Sequence, residues 1–169
     1  MQANELYRLA EIDRSEAIQA SYRLQNGQLV LVPSAQLAPG FTAEELSELA
    51  NRQTELLHAG GKVMGAFEQD KLVGIASVAR PWFGRDKSYC KMDVLYVSRP
   101  QRDQGIAKQL LQAIKATARI FGASHLYISA TPTQHTVDFY LAQGAQLATE
   151  INPQLWAMEP DDIHLELLL

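Results

Sequence analysis

The chain has 169 residues, of which 47% are hydrophobic and 20% are charged, and its formal net charge is −4. This length and composition suit one globular domain with a proper core, so we expect residues 1–169 to form a single domain. The mildly acidic balance lacks the basic footprint of nucleic-acid binding, and we expect no nucleic-acid partner.

The start of the chain carries one capping signal and one turn signal. Asp13 and Glu16 have the spacing of a capping box, and Asn26-Gly27 is typical of a hairpin turn. Together with the hydrophobic pattern, these signals predict a strand over 5–11, a helix over 17–24, a strand over 28–32 and a loop over 33–40. Strands and a short helix are therefore expected to alternate here.

A stronger capping box opens the next helix. Thr42 and Glu45 fit the pattern, and Phe41 and Leu46 are placed to form the hydrophobic staple. The helix is expected to end at Gly60-Gly61. Three strands are predicted after it, over 62–67, 72–78 and 88–97. The first two of these strands should form a hairpin.

The motif Arg-x-x-Gly-x-Ala at 102–107 follows the third of these strands and opens an amphipathic helix. Gly105 would let a ligand approach the backbone closely. The first turn of a helix leaves N–H groups without partners and carries partial positive charge. The predicted buried face consists of Ala107, Leu110, Leu111, Ile114, Ala118 and Phe121. The residues themselves therefore indicate a phosphate site at this helix start.

The last third of the chain adds strands and one helix. The pattern predicts a strand over 125–130, a helix over 133–143, and late strands over 145–149 and 163–169 separated by a loop. The order of elements is mixed α and β, with one strand–helix–strand crossover. The Gly-x-Gly-x-x-Gly fingerprint and the P-loop motif are both absent from the sequence. These absences disfavour a dinucleotide fold and exclude a P-loop.

Two segments together resemble the GCN5-related N-acetyltransferase (GNAT) superfamily. Residues 95–107 match the family's fourth strand and its Gln/Arg-x-x-Gly-x-Gly/Ala loop. Residues 133–144 are similar to a later Asn-x-x-Ala-x-x-Phe-Tyr-x-x-x-Gly element. In that element Thr133 stands where Asn is common, and Thr136 stands where Ala is usual. The resemblance covers residues 62–149 well.

The resemblance implies both a fold and a ligand. The fold is an α/β (α+β) domain whose mixed, mostly antiparallel central sheet has helices on both faces and a splayed parallel strand pair. The ligand is acetyl-CoA, with its pyrophosphate on the backbone of the 102–107 loop and its pantetheine arm beside the fourth strand. The residues implied to bind it are Leu95, Val97, Arg102, Asp103, Gln104, Gly105, Ile106, Ala107, Lys108 and Thr133. For Arg102 and Lys108, a solvated helix face is the alternative.

The resemblance further implies that Tyr140 is the general acid. Its phenol would protonate the departing CoA thiolate. Phenol and thiol pKa values of about 10 and about 8.5 make a hydrogen bond or partial proton transfer between them reasonable. The alternative is a tyrosine on an amphipathic helix whose ring packs in the core.

Several groups compete for the role of general base. Asp93 should share one face of its strand with the two residues implied to bind pantetheine, by the two-residue period. A carboxylate in an otherwise apolar strand is a candidate site residue, and Asp93 could act through a water molecule. Lys91, His135 or water alone are the other candidates. The alternative role for Asp93 is an ion pair with Lys91 or Arg102.

The expected activity is that of an acetyl-CoA-dependent N-acetyltransferase. The acetyl group would pass by direct attack to a primary amine of a small molecule or a peptide. A non-catalytic acyl-CoA-binding sensor or regulatory module is the alternative. Residues 1–60 and 150–162 are expected to line the acceptor site, and they hold Glu11, Asp13, Glu16, Trp156, Glu159 and Asp161. The alternative role for the acidic residues is in helix caps and solvated loops. Trp82-Phe83 could form another wall of the site or the contact of a homodimer.

Neither a metal nor a membrane partner is expected. The histidines lack metal-ligand spacing, and the single Cys90 is too few for a cysteine site. His164 should alternate outward from its strand. The sequence has no apolar run of membrane-spanning length and no signal-peptide pattern at its start, so a cytoplasmic enzyme is expected.

Overall fold

A mixed sheet with helices on both sides forms the body of the fold. The computed structural model describes the backbone of residues 1–169 and all side chains except those at 81 and 82. The role predicted for Trp82 therefore lies outside the described residues. The elements are a 3₁₀ helix Ala3–Glu11, β1 Glu16–Gln25, β2 Gln28–Ala38, α1 Ala43–His58, β3 Lys62–Glu68, β4 Lys71–Phe83, β5 Tyr89–Val97, a 3₁₀ turn Arg99–Gln101, α2 Ile106–Ile120, β6 His125–Ala130, α3 Gln134–Ala142, β7 Gln146–Leu147, α4 Pro153–Met158 and β8 Ile163–Leu168.

The strand order of the main sheet, within the described backbone, is β3-β4-β5-β6-β8-β7. Strands β3, β4 and β5 form an antiparallel meander, and β5 and β6 run parallel. Strand β8 pairs antiparallel with both β6 and β7. Strands β1 and β2 pair with each other as a separate antiparallel hairpin. The predicted mixed, mostly antiparallel sheet is confirmed.

Two hydrophobic cores lie on opposite faces of the sheet. On one face, Leu111 and Ile114 of α2 and Val137 of α3 are fully buried. On the other face, Leu9 of the first 3₁₀ helix and Leu49 of α1 are buried against the strands. Burial of such side chains contributes roughly 1.5–3 kcal/mol each. The predicted helices on both faces are therefore confirmed.

Helix α1 begins as its capping box predicts. The Thr42 hydroxyl accepts the Glu45 N–H at 3.2 Å, and the Glu45 carboxylate accepts the Thr42 N–H at 2.8 Å. Phe41 and Leu46 both pack against the core beneath them, as the staple requires. A cap of this kind contributes about 1 kcal/mol.

The N-terminal predictions were wrong in type. The strand predicted over 5–11 is a 3₁₀ helix, and the helix predicted over 17–24 is strand β1. The Asp13 carboxylate accepts the Ser15 N–H at 2.9 Å in a local turn, and the chain then enters a strand. Both residues of the Asn26-Gly27 turn have positive φ, which matches the twist of a tight hairpin. Hairpin pairing therefore decides the structure of this segment.

Two predicted loops contain regular structure. Strand β2 continues through Pro33, which the outer strand of a hairpin tolerates, so the loop predicted over 33–40 is wrong. The loop before β8 contains α4, where the Asn152 side chain accepts two N–H groups of the first turn. Pro153 occupies the first helical position, where its missing N–H costs nothing.

Candidate active site

A cavity of about 480 Å³ opens where β5 and β6 diverge. The two strands pair in parallel over Tyr89–Met92 and His125–Ile128, and beyond these residues β6 leaves the ladder. Residues 93–97 of β5 therefore present an open edge to the cavity. The predicted splayed strand pair is confirmed.

The cavity gathers most of the predicted site residues. Those on its lining are Asp93, Leu95, Val97, Arg102, Asp103, Gly105, Ile106, Ala107, Lys108, Thr133 and Tyr140. Gln104 is not among the lining residues, and its side-chain amide donates instead to the Pro100 carbonyl at 3.1 Å. Three separate elements, β5, the start of α2 and α3, thus contribute to one site.

The open edge of β5 offers backbone hydrogen-bonding groups to the cavity. The Ser98 N–H donates to the Val73 carbonyl at 2.8 Å, on the β4 side. Because backbone groups of successive strand residues point to opposite neighbours, those of Leu95 and Val97 point away from β4. An extended ligand lying along this edge could therefore pair with both residues.

The start of α2 lies next to the open edge of β5 and is suited to bind an anion. Gly105 is the N-cap in the left-handed region, with φ +81°, and among the described atoms nothing lies within 4 Å of where its Cβ would stand. The first N–H groups of the helix have no partners within the helix, and they carry partial positive charge. Lys108 adds an exposed ammonium to the lining. A phosphate group fits this arrangement.

Arg102 lines the cavity, but its guanidinium is held by protein carbonyls. It donates to the Val97 carbonyl at 3.3 Å and to the Arg14 carbonyl at 3.1 Å. Its closest carboxylate partner is Glu16, at 3.9 Å. The ion pair with Asp93 that the sequence offered as an alternative is therefore not formed. Arg102 ties the start of β1 to the end of β5.

Tyr140 is buried on α3 and reaches the cavity. Burial, and secondly the nearby hydroxyl of Tyr96, raise the pKa of Tyr140 well above its ordinary value. The phenol therefore stays protonated and can serve as a hydrogen-bond donor. Thr133 is buried at the N-cap of α3, where its hydroxyl accepts the Thr136 N–H at 3.3 Å.

Asp93 is the extra residue of a β-bulge. The pairing of Ser77 with Val94 is followed by that of Val78 with Met92, so β5 has one more residue than β4 at this point. The bulge breaks the two-residue period and turns the carboxylate toward α1. The prediction that Asp93 shares a face with the pantetheine-side residues is therefore wrong.

Three donors surround the Asp93 carboxylate. Lys91 Nζ and Arg52 Nε each lie 3.0 Å away, and the Gln53 amide donates at 2.7 Å. Burial acts to raise the pKa of Asp93, but the charges of Lys91 and Arg52 and these hydrogen bonds outweigh it and lower the pKa. Asp93 is therefore ionised at neutral pH, and the ion pair with Lys91 offered as an alternative is present.

Tyr96 and Arg14 also line the cavity, although the sequence pattern did not indicate them. The Tyr96 ring packs edge-to-face on Phe41 at 5.4 Å, and the Arg14 guanidinium lies 4.2 Å from the same ring. Tyr96 lies inside the strand motif, but strand alternation places its side chain on the face of β5 opposite to Leu95 and Val97. The cavity passes through the gap between the strands, so both faces of β5 contribute to it.

The other predicted base candidates differ in their access. His135 is exposed in the first turn of α3 and lines the cavity. Lys91 is half-buried behind Asp93, and its ammonium is engaged by that carboxylate. Of these two candidates, His135 borders the cavity directly.

Among the described residues, no group of three or more His, Cys, Asp or Glu side chains is arranged to hold a metal ion. Among the helices described there, none combines the length and apolar character needed to span a bilayer.

The family model of the acetyltransferase (GNAT) family matches residues 29–145, which is more than half of the chain. Comparison with curated proteins gives no significant match. The matched segment contains β5, the start of α2 and α3, and therefore the elements that form the cavity.

Solved structures extend the likeness to nearly the whole chain. A nourseothricin acetyltransferase has 16% identity and a TM-score of 0.71, over 98% of this chain and 93% of that one. A provisionally named streptothricin acetyltransferase from Bacillus anthracis, in complex with acetyl coenzyme A, has 16% identity and a TM-score of 0.68, with coverage of 100% and 94%. The PaiA N-acetyltransferase from Thermoplasma acidophilum, in complex with coenzyme A, has 13% identity and a TM-score of 0.63, with coverage of 100% and 96%. At these identities the likeness establishes the fold.

Proposed function

Because the chain belongs to the acetyltransferase (GNAT) family, we propose that it moves the acetyl group of acetyl-CoA to a primary amine of a small molecule by direct attack. Acetyl transfer is the activity of the family. The proposal adds the co-substrate, the chemical class of the acceptor and the roles of individual residues. We also propose that residues 1–169 act as one domain, since the β1–β2 hairpin, strand β5 and helices α2 and α3 border the same cavity.

The observation that carries the proposal is the continuity between the open edge of β5 and the start of α2. An extended pantetheine arm could pair with the backbone of Leu95 and Val97, and the pyrophosphate would then reach the helix start at Gly105. Two of the similar structures hold coenzyme A or acetyl coenzyme A. Their ligands support acetyl-CoA as the molecule that fits this path.

Tyr140 is proposed as the general acid. The amine nitrogen attacks the thioester carbonyl, the C–N bond forms, and the C–S bond breaks with the electron pair leaving on sulfur. The Tyr140 phenol donates a hydrogen bond to this sulfur and supplies its proton. Because burial raises the pKa of Tyr140, the donated hydrogen bond, which stabilises the developing thiolate, contributes most before the proton moves.

The base is proposed to be a water molecule near Asp93. The carboxylate is ionised and its pKa is lowered, so it is a poor proton acceptor by itself. The carboxylate can still accept a hydrogen bond from this water and orient it toward the amine, which loses its proton to the water. His135 and Lys91 remain competing candidates. A His135→Gln variant with unchanged kcat at pH 7 and pH 9 would eliminate the first of them.

A small-molecule amine is the proposed acceptor. Two of the similar structures are named for acetylation of nourseothricin and streptothricin, which supports a small molecule over a peptide. A peptide acceptor and a homodimer stay predictions of the sequence. The non-catalytic acyl-CoA-binding module is the second candidate function, and it predicts acetyl-CoA binding without turnover.

Release of CoA in the presence of a panel of primary amines tests the proposal. We expect acetyl-CoA to bind at micromolar concentrations and at least one amine to release CoA in proportion to the acetylated product found by mass spectrometry. Tight acetyl-CoA binding with no turnover of any amine between pH 6 and pH 9 would support the binding module. Absence of acetyl-CoA binding would contradict both functions.

A further inference from the structure

The gap between β5 and β6 is closed at one end by the last residues that pair across it. Met92 and Ile128 form the final pair of the parallel ladder, and the open edge of β5 begins directly after Met92. A molecule that lies along this edge, with one end at the start of α2, therefore has its other end directed at Met92. The Met92 side chain is also part of the cavity lining. The closed end of the gap thus limits how far such a molecule can extend.

The β-bulge at Asp93 decides which side chain lies at this closed end. In a regular strand, the two-residue period would place Asp93 on the face of Leu95 and Val97. Because of the bulge, Asp93 points toward α1, and Met92 packs instead in the same core as Leu95 and Val97. Tyr140 belongs to this core as well. An apolar side chain, and not a carboxylate, therefore comes next after Leu95 on the face that Tyr140 shares.

Ala130 faces Met92 across the gap, from the β6 side. Both side chains are buried in the core beneath α2 and α3, and both line the cavity. Ala130 ends at a single methyl group, so the longer Met92 side chain is the larger obstacle at this end. Because both side chains are apolar, the closed end suits a small apolar group and disfavours a charged one.

We propose that Met92 limits the length of the acyl group that the site accepts, by contact with the methyl group of acetyl-CoA. Pantetheine paired with Leu95 and Val97 brings the thioester beside Tyr140, and the acyl chain continues from there toward Met92. An acetyl group ends at the Met92 side chain. The additional methylenes of propionyl and butyryl groups collide with it. This inference rests on the proposed acetyl transfer and specifies which acyl donors the same site takes.

Calorimetric titration of the full chain with acetyl-CoA, propionyl-CoA and butyryl-CoA, without an amine, tests this proposal. We expect the wild type to bind butyryl-CoA at least about tenfold more weakly than acetyl-CoA, since one methylene in an apolar pocket changes selectivity by about tenfold or more. Met92→Ala opens the closed end and should bring the two Kd values within about threefold of each other. The control Met64→Ala shortens a methionine that packs against the same core but is not among the lining residues, and it should keep the wild-type ratio of Kd values.

The wild type alone can overturn the inference, if it binds butyryl-CoA as tightly as acetyl-CoA. An unchanged ratio of the two Kd values in a folded Met92→Ala variant would also overturn it. Should Met92→Ala fail to fold, the same criterion applies to Met92→Val, which shortens the side chain and keeps a residue that suits a strand. Binding of acetyl-CoA without acetylation of any amine would overturn the proposed function alone, because the Kd ratio is measured without an amine. Absence of acetyl-CoA binding would overturn both.

Discussion

The proposed co-substrate side and the proposed acceptor side of the molecule are built in different ways. In the first, the backbone groups proposed to bind the co-substrate lie on one continuous segment, residues 95–108, in which a strand edge runs into a helix start. The second is assembled from distant segments, and the Tyr22 N–H reaches the Pro132 carbonyl at 2.7 Å to join them. Binding through backbone groups is therefore encoded locally, whereas binding through side chains depends on long-range packing. Substitutions should reveal this difference.

The largest effect is expected at the co-substrate side, for Gly105→Val. A side chain at Gly105 would project into the space expected to hold pyrophosphate. Loss of two charge-assisted hydrogen bonds costs about 4 kcal/mol, or about a thousandfold in the Kd of acetyl-CoA. Calorimetric titration with acetyl-CoA measures this change directly.

Gly122→Val is the matched control at the other end of the same helix. Gly122 has φ +88°, and among the described atoms nothing lies within 4 Å of its Cβ position. Both variants should lose about 1–2 kcal/mol of unfolding free energy from backbone strain. Equal loss of acetyl-CoA affinity in the two variants would show that backbone strain is the cause, and not a side chain in the space expected to hold pyrophosphate.

The next effect concerns the scaffold of the acceptor side. The buried Glu166 carboxylate accepts hydrogen bonds from Lys87 at 2.5 Å and from the Tyr89 hydroxyl at 2.6 Å. Glu166→Gln breaks a buried ion pair, and it should lower the unfolding free energy by about 3 kcal/mol at pH 7. Chemical denaturation measures this loss, and Glu48→Gln, at an exposed position of α1, should change it by less than 0.5 kcal/mol by the general estimate for surface sites.

The same carboxylate should make stability depend on pH. Burial alone would raise the pKa of Glu166, but Lys87, Tyr89 and their neighbours lower it to about 2. A lowered pKa stabilises the folded state above the unfolded value of about 4.3, and this contribution is lost as pH falls toward 2. The difference between wild type and Glu166→Gln should therefore shrink over this range. A difference in unfolding free energy between wild type and Glu166→Gln that stays constant with pH would contradict the lowered pKa of Glu166.

Removal of the proposed acid should have a slightly smaller effect. Tyr140→Phe should lower kcat about a hundredfold, or about 2.7 kcal/mol, with little change in acetyl-CoA affinity. Stopped-flow assay of CoA release measures kcat, and Tyr7→Phe, at a side chain that is 75% exposed, is the control. A kcat of Tyr140→Phe within threefold of wild type would show that Tyr140 is not the general acid and only packs in the core.

The smallest effect concerns the cap of α4, which carries Trp156, in comparison with the cap of α1, which contributes no lining residue to the cavity at β5. Asn152→Ala removes the cap of α4, and Thr42→Ala removes the cap of α1, each at about 1 kcal/mol of unfolding free energy. We expect Asn152→Ala also to raise the acceptor KM severalfold, because α4 carries Trp156. Neither variant should alter acetyl-CoA affinity. An acceptor KM that is the same for Asn152→Ala and Thr42→Ala would show that α4 does not contribute to the acceptor site.

The sequence predicted the co-substrate side more fully than the acceptor side for a physical reason. The α2 face and the position of Gly105 follow from a 3.6-residue period and a helix start, which are local features. The face of Asp93 was predicted wrongly because a bulge, which depends on pairing with β4, interrupts the strand period. Tyr96 was missed because the splay lets the cavity reach both faces of one strand.

The acceptor side shows the same limit more strongly. Residues 17–24 carry a helical pattern, yet pairing with β2 makes them a strand. His164 was expected to face outward by alternation, yet it is buried, and its Nδ1 lies 2.9 Å from the Tyr127 hydroxyl. Of the six side chains named for the acceptor site, Trp156 and Asp161 line a cavity beside the β1–β2 hairpin, Glu16 lines the cavity at the divergence of β5 and β6, and Glu11, Asp13 and Glu159 line neither. Contacts between distant segments decided each of these outcomes.

A crystal structure of the chain with acetyl-CoA tests the central claim most directly. The account predicts pantetheine paired with the backbone of Leu95 and Val97, pyrophosphate oxygens on the N–H groups from 103 to 108, and the thioester sulfur within hydrogen-bond distance of the Tyr140 hydroxyl. Acetyl-CoA bound away from the open edge of β5, or with its pyrophosphate outside the α2 start, would contradict it.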